Sequence, residues 1–178
     1  MKRPANADKG GKGPEGPVSP VELVLGIDPG SICCGYGLVR MKKGECLYVS
    51  SGRIRMTDGA PLARRLTELF EGLSEVVREF SPQACAVEKI FFAKSVRSAL
   101  SLGHARGIAL LAGAMSGVPV YEYSPLEIKK AVTGYGRAEK SQVQAMIMRL
   151  LGLSFSPSTD GADALALALC HLHRQGMP

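Results

Sequence analysis

The apolar pattern of this chain changes period several times. Leu23 to Ile27 is a continuous apolar run, which reads as a strand buried on both faces. It ends at Asp28, where Pro29, Gly30 and Ser31 break it. Gly35 to Arg40 predicts a second strand, Lys42 to Glu45 a turn, and Leu47 to Ile54 a third, partly alternating strand. Three strands joined by short turns form an antiparallel meander. Pro61 opens a helix in which Leu62, Leu66, Leu69, Leu73, Val76, Val77 and Phe80 keep helical spacing. Ser81-Pro82 ends it, and Ala84 to Glu88 is a short buried strand that also ends in a carboxylate. The helix makes a crossover, which sets this strand parallel to the first and brings Glu88 and Asp28 to one edge of the sheet.

Beyond Glu88, Phe91 and Phe92 lie between Lys89 and Lys94. They either cover the end of the sheet or stack on nucleic-acid bases beside phosphate-contacting lysines. Ser95 to Ser116 predicts a long helix rich in small residues, with Gly103 and Gly107 on one face. That face either presses on its own sheet or meets a second copy across a two-fold axis. Val118 to Tyr123 reads as a strand, and Ser124-Pro125 caps a helix from Leu126 to Val132. A glycine-containing loop follows, with Lys129, Lys130, Arg137 and Lys140 near it, a track suited to backbone phosphates. The next helix turns Val143, Met146, Ile147, Leu150 and Leu151 inward. The last helix starts at Pro157-Ser158 and places Asp160 and Asp163 on one face of its first turn. Capping accounts for one acid there; two among Ala and Leu exceed what a cap needs. His171 and His173, two apart, read as surface residues rather than a metal pair.

The elements together predict an α/β fold, a mixed five-stranded sheet flanked by helices. Its 178 residues suit one domain, over 21–178. Residues 1–20 carry eight Gly or Pro and several Lys, and read as a disordered basic arm. The chain has no run of about 18 apolar residues and no N-terminal apolar segment, so its expected place is the cytoplasm, away from membranes. Five cysteines without scaffold spacing point to reduced thiols in packing roles. Lys plus Arg total 22 against 16 for Asp plus Glu, a net +6 that permits an anionic partner.

Asp28, Glu88, Asp160 and Asp163 are the candidate chemistry. Gathered at one sheet edge, they would form an all-oxygen site suited to Mg²⁺ or Mn²⁺. Two such ions about 4 Å apart can serve the entering water and the departing 3′ oxygen of a phosphodiester. The other reading is four unrelated surface or capping acids.

Four stretches, Leu-Gly-Ile-Asp28-Pro-Gly-Ser, Ala-Val-Glu88-Lys-Ile-Phe91-Phe-Ala-Lys94, Ala138-Glu-Lys140-Ser-Gln-Val-Gln and Asp160-Gly-Ala-Asp163-Ala-Leu-Ala, resemble the RuvC family of Holliday-junction resolvases in order and spacing. The resemblance implies an RNase H-like fold and a homodimer whose two sites nick opposed strands of a four-way DNA junction, in recombination and repair. It implies a Mg²⁺-dependent endonuclease, with two ions per site, Mn²⁺ as a substitute, and Asp28, Glu88, Asp160 and Asp163 as catalytic metal ligands. It makes Phe91 the base-stacking aromatic and Lys129 and Lys140 basic residues by the site; the basic patterning of the chain adds Lys94 and Arg137 as expected DNA contacts. It implies RuvA and RuvB as partners, and products with 5′-phosphate and 3′-hydroxyl ends.

Two other classes compete. The Gly-Ile-Asp-Pro-Gly-Ser stretch also resembles the first phosphate loop of actin-like kinases and chaperone ATPases, but the chain has no room for their second lobe. A junction-binding protein without catalysis should have lost at least one of the four acids, and all four are present.

Overall fold

The computed structural model describes residues 23–89 and 96–175. Strand β1 (Leu23–Asp28) pairs antiparallel with β2 (Cys33–Lys42), which pairs antiparallel with β3 (Glu45–Arg55). Helix α1 (Leu62–Phe80) crosses over to β4 (Ala84–Glu88), which lies parallel to β1. Helix α2 (Val96–Met115) leads to β5 (Val120–Tyr123), parallel to β4. Helices α3 (Pro125–Thr133), α4 (Lys140–Leu150) and α5 (Thr159–Arg174) complete the chain. The sheet order is β3-β2-β1-β4-β5, the mixed five-stranded arrangement that the apolar pattern predicts. The tight β2–β3 turn places Lys43 (φ 52°) and Gly44 (φ 83°) in the left-handed region, as a two-residue hairpin turn requires. Among the described residues, no helix is long and apolar enough to cross a membrane.

Alternation along the strands splits the core in two. Leu23, Leu25 and Ile27 of β1 join Cys85 and Val87 of β4 in a cluster with Leu69, Leu73, Ala105 and Ala109 of α1 and α2. Val24, Ala84 and Ala86 face the other way, onto Leu165, Leu169 and neighbouring residues of α5. Because side chains alternate, Asp28 and Glu88 follow Val24 and Ala86 onto the α5 face. Helix α5 is buried along nearly its whole length, and it reaches the sheet through glycine. A Cβ on Gly26 would stand 1.9 Å from the Ala164 carbonyl oxygen, and one on Gly35 2.1 Å from that of Asp160. One on Gly37 would stand 2.7 Å from the Leu165 amide nitrogen. Gly26 and Gly37 are direct cross-strand partners, so the helix lies in a trough where two strands carry no side chain.

Three expectations need correction. His171 is fully buried, its Nδ1 2.7 Å from the Tyr123 hydroxyl, because α5 is a central helix and not a surface one. Leu150 is exposed, since Val143, Ile147 and Leu151 already fill the inner face of α4. Gly103 and Gly107 of α2 do not press on the sheet: a Cβ on either meets nothing within 4 Å. Burial on that helix falls to Ala105, Ala109 and Ala112 instead.

Gly26→Ala is expected to destabilise the fold by about 1–3 kcal/mol or more, since backbone and not a flexible side chain occupies the space. That corresponds to a fall in Tm of ~2–4 °C per kcal/mol. Gly107→Ala, whose added Cβ meets nothing within its own chain, should leave the Tm of the dilute, monomeric protein unchanged or raised; equal losses in the two variants there, read by thermal denaturation, would refute the trough.

Candidate active site

Asp28 leaves β1 at the end where β4 delivers Glu88, one residue beyond the Ile27–Val87 pair. The turn after Asp28 is tied down from two sides. The Met56 amide donates to the Ile32 carbonyl at 2.9 Å, and Arg65 of α1 donates to the Ser31 carbonyl at 2.5 Å. Asp160 arrives on the first turn of α5 and Asp163 one turn on, so the expectation of both acids in the first turn holds for Asp160 alone. Neither caps it: the Ser158 hydroxyl accepts from the Gly161 amide at 3.2 Å and does that work. Helix capping therefore does not explain the two acids.

The other three acids act on Asp28. Burial first, then the charges of Asp163, Glu88 and Asp160, push the Asp28 carboxyl from 3.8 up to about 7, with Lys140 opposing. Burial and Asp163 raise Glu88 in the same direction, again against Lys140. Lys140 Nζ donates to Asp163 Oδ2 at 2.5 Å. Burial alone would lower the Lys140 ammonium, but its bond to Asp163 and the nearby acids raise it overall. A lysine in the first turn of a helix faces the positive end of the dipole, so its place at the start of α4 is set by the acids across from it.

Asp28, Glu88, Asp163, Lys129 and Lys140 line a cleft of about 310 Å³ with an apolar floor that includes Ile128 and Val143. Lys129 is carried by α3, whose capping box joins Ser124 and Glu127. Hydrogen bonds from Ser124, then Arg174 of α5, hold Glu127 down at about 2, which ties α3 to the helix bearing the acids. Arg137 is exposed in the α3–α4 loop, outside the lining of the cleft. Phe91 and Lys94 lie outside the described residues.

Among the described residues, no three His, Cys, Asp or Glu side chains stand close enough to hold a metal ion. Like charges that share a site repel, and here an ammonium supplies the counter-charge. The donor set still fits a hard divalent cation. The acids offer oxygen alone, two of them are raised toward protonation first by burial and then by neighbouring carboxylates, and Lys140 marks where a cation is attracted.

The glycine trough and Cys33 were missed in reading the sequence. Cys33 Sγ donates to Asp160 Oδ2 at 3.3 Å, with burial the first cause that keeps its thiol raised. Three glycines at alternate positions, Gly26 on one strand with Gly35 and Gly37 on the next, are a legible sign of close approach. No sequence signal marks Cys33 as the neighbour of a residue more than a hundred positions away.

A family model described as crossover junction endodeoxyribonuclease RuvC matches residues 24–171. A crossover junction endodeoxyribonuclease RuvC from Saccharophagus degradans is 49% identical over 153 residues, covering 86% of this chain and 88% of its own. The protein of that name from Syntrophotalea carbinolica is 50% identical over 150 residues, covering 84% and 93%. The structure of T. thermophilus RuvC in complex with Holliday junction substrate superposes with a TM-score of 0.81 at 36% identity, covering 88% of this chain and 97% of that one. The yeast mitochondrial Holliday junction resolvase Ydc2 shares the fold, with a TM-score of 0.69 at 13% identity. With its acids at one sheet edge and this degree of likeness along almost the whole described chain, the protein belongs to the RuvC family of crossover junction endodeoxyribonucleases.

Proposed function

We propose that this chain cuts four-way DNA junctions by hydrolysing phosphodiesters at the edge of the sheet where Asp28, Glu88, Asp160 and Asp163 meet. The observation that carries the reading is the cleft at the sheet edge, where Asp28, Glu88 and Asp163 face Lys129 and Lys140, with Asp160 one helical turn from Asp163. Asp28, Glu88, Asp160 and Asp163 would hold two Mg²⁺ ions, with Mn²⁺ as a substitute. When bound, such ions stabilise the entering and leaving oxygens of the phosphodiester. The chain's own residues do the rest. The turn after Asp28 keeps its carboxylate at the strand mouth. Lys140 neutralises Asp163 and offers an ammonium at the cleft to phosphate oxygens. Lys129, on the cleft wall, draws the backbone in, and Arg137 extends the basic track along the α3–α4 loop. Phe91 would stack on a junction base and Lys94 would contact phosphate.

Paired nicks need two sites, and α2 supports a homodimer. Its outer face shows Val96, Leu100, Leu111 and Met115, exposed by 47–78%, around open Gly103 and Gly107. A two-fold contact between such faces lets two backbones approach closely. The family supports RuvA and RuvB as partners, and a chromosomal substrate supports the cytoplasm as the place of action.

Asp28→Asn should bind a labelled four-way junction with near-normal affinity while cleavage falls by about a thousandfold, or ~4 kcal/mol of transition-state stabilisation. Cleavage within tenfold of the unaltered protein would refute the catalytic assignment.

The acids also set a pH response. Folded Asp28, at about 7 against 3.8, binds its proton more tightly than the unfolded chain does. Stability is therefore fully present below about pH 4 as far as this group is concerned, and it is lost as pH rises through about 7. Without divalent ions, the Asp28-dependent part of Tm should decline from pH 5 to pH 8, and Mg²⁺ should restore it at pH 8. Asp28→Asn should remove both the decline and most of the Mg²⁺ gain; a Tm of the unaltered protein indifferent to Mg²⁺ at pH 8 would count against the metal site.

Leu100→Asp, on the outer face of α2, should convert a dimer into a monomer in sedimentation velocity and abolish paired nicking. A dimer that survives Leu100→Asp unchanged would place the interface elsewhere.

A further inference from the structure

The basic groups of the cleft, Lys129 and Lys140, stand on α3 and α4, beyond Glu88. The opposite side of the acids is built by β2 and β3, and it too is basic. Gly35 of β2 lies between two cross-strand partners, Asp28 on β1 and Arg53 on β3. Residues directly opposite one another in an antiparallel pair put their side chains on the same face. The face of Gly35 is that of α5, since a Cβ there would meet the Asp160 carbonyl oxygen at 2.1 Å. Arg53 therefore rises on the face that carries Asp28 and Asp160.

Arg55 repeats the pattern one step along. Its partner is Cys33, whose thiol donates to Asp160 Oδ2 at 3.3 Å. The fields of both Arg53 and Arg55 reach that thiol. Ile54 between them turns to the other face and packs against the α1 cluster. Strand spacing puts the Cα of Arg53 ~10 Å from that of Asp28, and Arg53 and Arg55 ~7 Å apart along β3. Both are exposed, and among the described residues neither takes part in an ion pair.

We propose that Arg53 and Arg55 form a phosphate-binding subsite on β3, which holds the DNA backbone on the side of the scissile phosphate opposite Lys129 and Lys140. The proposal rests on the nuclease reading above. Four carboxylates repel a polyanion, so a strand drawn over them needs positive charge on both flanks. Guanidinium groups suit the task because they bind phosphate oxygens in bidentate fashion and stay charged. The arginines touch backbone and not the reacting atoms, so they position the strand. Edge strands also carry charges that discourage pairing with another sheet; a role of that kind would leave DNA binding untouched.

The test is the salt dependence of junction binding by the full chain, with Ca²⁺ in place of Mg²⁺. The Arg53→Gln/Arg55→Gln variant is compared with Lys42→Gln/Arg78→Gln, which removes two exposed charges at the end of the sheet remote from Asp28. Both variants should keep the Tm of the unaltered protein. The Arg53/Arg55 variant should bind at least tenfold more weakly, and the slope of log K against log salt should fall by about 2, one phosphate contact for each arginine. In Mg²⁺ its cleavage loss should fall mainly on KM. A slope and affinity equal to those of the remote pair would overturn the subsite. Absence of junction cleavage by the unaltered protein would instead overturn the nuclease reading, and the salt slope would still decide whether Arg53 and Arg55 bind phosphate.

Discussion

The approach of α5 to the sheet is the constraint on which the site depends. Backbone meets backbone there: the carbonyls of Asp160 and Ala164 occupy the space where side chains of Gly35 and Gly26 would stand. Packing this close fixes the helix in rotation and in height, because neither partner has a flexible side chain that can give. Two acids at the start of α5, Asp160 on its first turn and Asp163 just after, are thereby held against one at the end of β1. A larger residue in the trough would not simply cost stability. It would lift the turn that carries Asp160 away from Asp28.

Electrostatic cost runs through the same contact. Burial at the strand end, and then the charges of the acids beside it, raise Asp28 to about 7. Lys140, exposed on α4 and bonded to Asp163, opposes this rise. Divalent ions held by these acids, as proposed above, would remove part of a penalty the folded chain already bears. The buried Tyr123–His171 pair and the Glu127–Arg174 bridge stand on the same helix but serve another end, locking α3 and β5 to α5 so that the Lys129 wall keeps its distance from the acids.

The two faces of the sheet divide the labour. On one, α1 and α2 bury Leu25, Ile27 and Val87 and leave apolar side chains exposed on the outer surface of α2. On the other, α5 brings the acids, with positive charge from α3 and α4 on one flank and from the end of β3 on the other. The exposed apolar surface and the acids thus lie on opposite faces of one sheet, and strand alternation keeps them apart.

Periodicity by itself determined the five strands, the crossover that makes β1 and β4 parallel, and the capped starts of α3 and α5, because each depends on neighbours within a few residues. Alternation also determined that Asp28 and Glu88 share an edge, since parallel strands of matched register end together. Only the tertiary structure decided the rest. His171 reads as a surface residue until α5 is seen to be enclosed by the sheet and α3. Ser158 and the two acids compete for the cap on paper, and the bond from Gly161 settles it. The nearness of Cys33, Arg53 and Arg55 to Asp160 is written nowhere along the chain, because residues a hundred positions apart meet through the placement of a whole helix. That placement follows from shape, the fit of a helix backbone into a trough of glycines, and a one-dimensional pattern of polarity carries no record of it.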